Sequence, residues 1–200
     1  MLIWINSTFG GGKTATAYEL RRRLPGSVVC DPEHVGFGMH RMLPATLRGN
    51  FQDLPAWRHS VTELLRLTLP AYAGPVIVPM TLVDHGYFQE IIGRLRDEGF
   101  IVHHFTLLAD EATVHRRLAR RSLGTQAGPG NWAIKPLSDN LRRLRAPEFA
   151  QHIKTDHLTV SRVADTIASS AGLAITPSTD GPLRAALRRH ATTIRNIRFD

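Results

Sequence analysis

The sequence predicts an α/β fold in which a central parallel β-sheet of about five strands is covered by helices on both faces. Three observations carry that expectation. The short apolar run Leu2-Ile3-Trp4-Ile5 is followed by a glycine-rich turn and by a helical stretch that starts at Lys13. A second run, Ser27-Val28-Val29-Cys30, follows that helix, and strand, helix and strand in so short a span form a βαβ unit with parallel strands. Apolar runs then alternate with amphipathic stretches as far as about residue 171.

The first turn reads Asn6-Ser7-Thr8-Phe9-Gly10-Gly11-Gly12-Lys13-Thr14. Strand, glycine-rich loop, Lys-Thr and helix is the order of a phosphate-binding P-loop. Glycines let backbone N–H groups close on a polyphosphate, and the helix N-terminus adds partial positive charge. The expected ATP contacts are Phe9, Gly10, Gly11, Gly12, Lys13, Thr14 and Ala15, with Lys13 on the β- and γ-phosphates and the Thr14 hydroxyl on Mg²⁺. The full pattern has a glycine at position 7, where this chain has Ser7. Serine suits that place if its dihedrals are ordinary. The plain alternative is a glycine-rich turn that binds nothing.

The first helix should run to about Leu24, with Arg21, Arg22 and Arg23 favoured in its last turn by the helix dipole and Pro25-Gly26 stopping it. Asp31-Pro32-Glu33 closes the second strand at the carboxyl end of the sheet, where ligands gather. Asp31 is therefore the candidate base for an acceptor hydroxyl, with Glu33 in reserve. Residues 34–74 read as an acceptor-binding insert, irregular at first and then helical from about Leu54 to Tyr72, with Asp53 as N-cap. Trp57, Val61, Leu64, Leu65 and Thr68 fall on one face of that helix. Phe37, Arg41, Trp57 and Arg58 are candidates for the acceptor pocket by position; a solvated surface is the competing reading for the arginines.

Val76 to Met80 reads as the third strand, and Pro79-Met80-Thr81 breaks the usual Walker B pattern of four apolar residues and an aspartate. Asp84 then caps a helix over roughly Tyr87 to Asp97, or lies near Mg²⁺. Ile101 to Leu108 is the fourth strand, whose adjacent His103 and His104 must point to opposite faces. Asp110 to Ser122 is helical and leads into the glycine-rich stretch 123–130. Arginines followed by such a stretch suit a lid over ATP, taken as residues 117–135, with Arg117 and Arg121 as catalytic candidates and Arg117 also on the nucleotide. The competing reading is a basic surface helix. Phe149 to Thr155 is a fifth strand and Thr159 to Ala171 a last packed helix, while residues 182–198 form a basic amphipathic helix that packs on its own domain or meets an anionic membrane.

Composition bounds the rest. Two hundred residues suit one domain. The formal charge of +8 favours anionic partners, which nucleotide and phosphorylated ligands satisfy; no nucleic-acid recognition motif is evident, and no nucleic-acid partner is expected. The single cysteine, Cys30, excludes an internal disulfide and reads as a small buried residue. No leader and no membrane span are visible, so a cytoplasmic protein, peripheral to the membrane at most, is the expectation.

Together the motifs resemble the bacterial tunicamycin-resistance ATP-binding family. The resemblance rests on Trp4-Ile5-Asn6, Phe9-Gly10-x-Gly12-Lys13-Thr14, Asp31-Pro32-Glu33, Phe51-Gln52-Asp53-Leu54-Pro55, Trp57-Arg58, Val78-Pro79-Met80-Thr81 and Trp132-Ala133. It spans residues 2 to about 156, and Ser7 stands where the family has glycine. It implies a P-loop kinase-like three-layer fold and phosphoryl transfer to a nucleoside-like antibiotic. A nucleotide-gated protein that sequesters a drug, and a housekeeping nucleoside or metabolite kinase, are the alternatives.

Overall fold

The computed structural model describes residues 1–122 and 136–178. The stretch 123–135 of the expected lid, the Arg121 side chain and the basic segment 182–198 lie outside the described residues. Five strands form one sheet: β1 (Leu2–Asn6), β2 (Val28–Val29), β3 (Val76–Pro79), β4 (Val102–Leu108) and β5 (His152–Lys154). Their order is β2-β3-β1-β4-β5, and every neighbouring pair is parallel. The central β1 is fully buried along its length, which is why it reads as an unbroken apolar run and not an alternating one.

Alternate residues of the sheet feed two cores. Leu2, Trp4, Val76 and Val78 pack on α3 (Pro55–Ala71) and on a helical stretch made of α4 (His85–Phe88), a π turn (Gln89–Gly93) and α5 (Arg94–Asp97). Ile3, Ile5, Ile77 and Phe105 pack on the other face, against α1 (Lys13–Arg23) and α8 (Val160–Ser170). A smaller cluster joins α6 (Glu111–Ser122) to α7 (Leu137–Arg143) through Val114, Leu118, Leu137 and Leu141. Helices on both faces of a parallel sheet make this a P-loop kinase-like α/β sandwich.

Four details differ from the sequence reading. Residues that read as irregular after His34 form a helix, α2 (Glu33–Met42). Its Gly36 is a contact residue: a Cβ there would come 2.5 Å from the Phe51 ring. Asp53 does not cap α3, which starts with Leu54 as cap and Pro55 as first residue; the Asp53 carboxylate accepts from the Tyr87 hydroxyl at 3.0 Å. Leu64 faces outward at 52% exposure, while Trp57, Val61, Leu65 and Leu69 form the buried stripe. Cys30 is half-buried beside a two-residue edge strand, and burial raises its thiol pKa. The Asp84 cap holds as read, its carboxylate accepting from Tyr87 N at 3.0 Å.

Candidate active site

The loop between β1 and α1 sits at the centre of the sheet's carboxyl edge, flanked by the ends of β3 and β4. Gly12 serves as N-cap of α1 with φ of 100°, no side chain caps the helix, and its first turn carries no acidic residue. A helix that starts this way keeps its partial positive charge for an external anion. Gly10 has φ of 76°, and a Cβ on it would meet Leu118 Cγ at 2.8 Å, so α6 packs directly on the loop. Lys13 is buried; its Nζ donates to the carbonyls of Ser7 at 3.3 Å and Thr8 at 3.1 Å, and lies 5.3 Å from the Phe9 ring centre.

Ser7 fits where the full motif has glycine. No non-glycine residue among those described has positive φ, so its backbone is ordinary. Its side chain is used: Oγ donates to the Leu107 carbonyl of β4 at 2.7 Å. The neighbouring Asn6 is bonded twice to Leu82, its Nδ2 donating to the carbonyl at 2.7 Å and its Oδ1 accepting from N–H at 2.9 Å. Asn6 Nδ2 also lies 3.3 Å from His104 Nε2. The other ring nitrogen of His104 is 3.1 Å from the Ala150 carbonyl, which only accepts, so Nδ1 carries the proton and Nε2 is the acceptor. Burial lowers the His104 pKa from 6.5 to about 4, and the imidazole is neutral at neutral pH.

The residues expected to line an acceptor pocket lie on or beside β2, α2 and α3. Asp31 follows β2, and adjacent strands are ~4.8 Å apart, which sets β2 roughly 10 Å from β1 across β3. The Asp31 carboxylate accepts from Glu33 N at 3.0 Å, which fixes the start of α2 with Glu33 in its first turn. Trp57 has no exposed surface, and its Nε1 donates to the Pro32 carbonyl at 3.1 Å; it buttresses the Asp31–Glu33 turn from below. Arg58 is buried between α3 and α4: it pairs with Glu90 at 2.6 Å, donates to the Gln52 carbonyl at 2.6 Å and lies 4.1 Å above the Tyr87 ring. Phe37 packs edge-on against Phe51 at 6.0 Å, and Arg41 is exposed in the last turn of α2.

Arg117 is half-buried, donating to the Thr155 hydroxyl at 3.1 Å and the Thr155 carbonyl at 2.7 Å. Burial lowers its pKa, and the Asp156 carboxylate opposes the shift. Asp156 is in turn held below the usual carboxylate range, first by the Asp110 N–H that donates to it. A cavity of about 360 Å³ lies beyond the ends of β4 and β5, lined by residues that include Asp110, Arg145, Lys154 and Asp156.

The donor set tests which groups the site accepts. A glycine-rich loop, an uncapped helix start and Lys13 fit a polyphosphate. Thr8 Oγ1, buried with no hydrogen-bond partner among the described residues, is an orphaned loop hydroxyl that an oxygen-rich ligand would satisfy. Among the described residues no cluster of three His, Cys, Asp or Glu side chains is placed to hold a metal. Mg²⁺ takes one or two protein oxygens together with phosphates and water, and Thr14 in the first turn of α1 is the candidate to hold it. Sequence reading placed Asn6, Gln52 and Thr81 in motifs but gave none of them a role in the site, and it read His104 only as a strand residue. The available signal was polarity at the ends of apolar runs, where side chains are buried and must be paired.

Residues 3–129 match the family model described as AAA domain. The tunicamycin resistance protein of Deinococcus radiodurans is 34% identical, with a TM-score of 0.74, and the match covers 88% of this chain and 99% of that one. A gluconokinase from Sinorhizobium meliloti is similar in fold at 14% identity and TM-score 0.59, over 94% of this chain and 96% of that chain. A shikimate kinase from Acinetobacter baumannii, in complex with shikimate, shares the fold at 18% identity and TM-score 0.53, over 85% and 92% of the two chains. A search of curated protein sequences returned no significant match. With a P-loop at the centre of a parallel sheet and these similarities, the chain belongs to the AAA-domain family of P-loop proteins, in the branch that includes the tunicamycin resistance protein.

Proposed function

We propose that this protein transfers the γ-phosphoryl group of ATP to a hydroxyl of a nucleoside-like small molecule, tunicamycin being the first acceptor to test. The observation that carries the reading is the start of α1: no side-chain cap, no acidic residue in the first turn, and Lys13 at its first position. The relative named for tunicamycin resistance supplies the acceptor class.

Lys13 and the backbone of Gly10 to Thr14 hold the phosphates. Thr14 holds Mg²⁺, which neutralises phosphate charge when bound. Asp31 takes the proton of the acceptor hydroxyl as its oxygen bonds to the γ-phosphorus; the bond from that phosphorus to the bridging oxygen breaks, and ADP leaves with the electron pair. Glu33, Phe37 and Arg41 face the acceptor, while Trp57 and Arg58 fix the turn and helix that carry them. Arg117 and Arg121 neutralise charge on the transferring group. Phosphorylation of an antibiotic acceptor is a chemical route to the resistance for which the relative is named. Among the described residues no helix is long and apolar enough to cross a membrane. A reaction that draws on ATP fits a cytoplasmic setting.

The test incubates purified protein with Mg-ATP and either tunicamycin or a nucleoside panel, and reads products by mass spectrometry. A product heavier by one phosphoryl group is expected, lost in Lys13→Ala and reduced about 10²–10⁴-fold in Asp31→Asn. Full activity in Asp31→Asn removes that residue as the base.

A further inference from the structure

The first carbonyl of the P-loop has two buried donors. Thr81 Oγ1 donates to the Ser7 carbonyl at 2.7 Å, and Lys13 Nζ donates to the same oxygen at 3.3 Å. Thr81 is 5% exposed and Ser7 1%, so the contact is shielded from water. The hydroxyl sits on a backbone held from three directions. Met80 N donates to the Ile5 carbonyl at 3.1 Å, Asn6 clasps Leu82, and Gln52 Nε2 donates to the Thr81 carbonyl at 2.9 Å. Gln52 belongs to the segment leading into α3, and its own carbonyl accepts from Arg58. One hydrogen-bonded chain thus runs from Arg58 on the acceptor side through Gln52 and Thr81 to the carbonyl that Lys13 touches.

We propose that Thr81 is a positioning residue for Lys13: it supplies the Ser7 carbonyl with a neutral donor of its own, so that the lysine can turn to phosphate without stranding a buried acceptor. A buried carbonyl left without a partner costs the free energy of its desolvation. In a protein lacking the Thr81 hydroxyl, Lys13 is the remaining side-chain donor to Ser7 O among the described residues, and each phosphate contact that draws Lys13 away takes that donor from the oxygen. Thr81 touches no substrate in this scheme; it acts through the lysine. The inference rests on the reading of Lys13 as a phosphate ligand.

The experiment measures dissociation constants for Mg-ATP and for adenosine, by competition with a fluorescent ATP analogue, in wild type, Thr81→Val, Thr81→Ser and Lys13→Ala. Thr81→Val keeps the side-chain shape and removes the donor. It should weaken Mg-ATP by about 3–10-fold, the loss of one hydrogen bond, and leave adenosine unchanged, since adenosine has no phosphate for Lys13 to reach. Thr81→Ser should restore Mg-ATP to within about twofold of wild type. Equal weakening of Mg-ATP and adenosine, no rescue by serine, or an unaltered Thr81→Val overturns the inference. Lys13→Ala that binds Mg-ATP as tightly as wild type instead overturns the phosphate-binding reading, a separate failure.

Discussion

Ser7 shows how a departure from a motif is absorbed. Its backbone needs no left-handed conformation, and its hydroxyl ties the loop to β4 through Leu107. Ser7→Gly should therefore not improve nucleotide binding. Mg-ATP affinity should stay within about twofold of wild type while stability falls by about 1 kcal/mol in urea denaturation, the worth of one buried hydrogen bond. His104 carries the pH dependence of the same region. Its folded pKa of about 4 lies below the ordinary 6.5, so the unfolded chain binds the extra proton in between. The stabilisation is fully present above about pH 6.5 and is lost as pH falls toward 4, on the order of 3 kcal/mol in all. His104→Phe should flatten that part of the stability–pH curve. A variant that keeps the full wild-type slope between those limits would assign the titration elsewhere.

Among the elements, α1 and its neighbours separate what was legible from what was not. The P-loop could be read because its residues are contiguous and their order is set by local geometry. The Asp84 cap could be read for the same reason, since its partner is three residues away. Arg23 could not. In the sequence it is one of three arginines in a last helical turn, yet it is 3% exposed. It donates to the Thr176 carbonyl at 2.7 Å and to the Ser161 carbonyl at 3.1 Å, and pairs with Asp165, clamping α1 to α8. Those partners lie 138 to 153 residues on, and only the tertiary fold brings them together. Arg23→Ala should cost about 1–3 kcal/mol in urea denaturation, because the buried guanidinium's hydrogen bonds between α1 and the partly exposed Ser161, Asp165 and Thr176 are lost together while water re-solvates those acceptors. The neighbouring Arg21 is exposed, and Arg21→Ala should change stability by less than about 0.5 kcal/mol. Helix α2 was hidden by its glycines, which read as breakers, although Gly36 is required by the Phe51 ring packed on it.

At the scale of the whole molecule, the sheet order gives the site its form. Placing β1 between β3 and β4 gathers the P-loop, Thr81 and the start of α6 at one crevice, with Asp31 two strands away on the same edge. The donor half of that arrangement was readable as a motif. The proposed acceptor half was readable only as a set of positions, because Trp57 and Arg58 are buried in packing that a single sequence does not display. Both are buried, whereas Asp31, Glu33, Phe37 and Arg41 are at least partly exposed, so the proposed acceptor contacts fall to those four. The most direct measurement supplies ATP labelled in its γ-phosphoryl group together with tunicamycin, and follows the label and ADP in the same reaction. Phosphoryl transfer to the drug requires label in tunicamycin to appear one-for-one with ADP, and to vanish in Lys13→Ala. Tunicamycin bound stoichiometrically while the labelled ATP stays intact would contradict it, and would make this protein a nucleotide-gated binder of the drug.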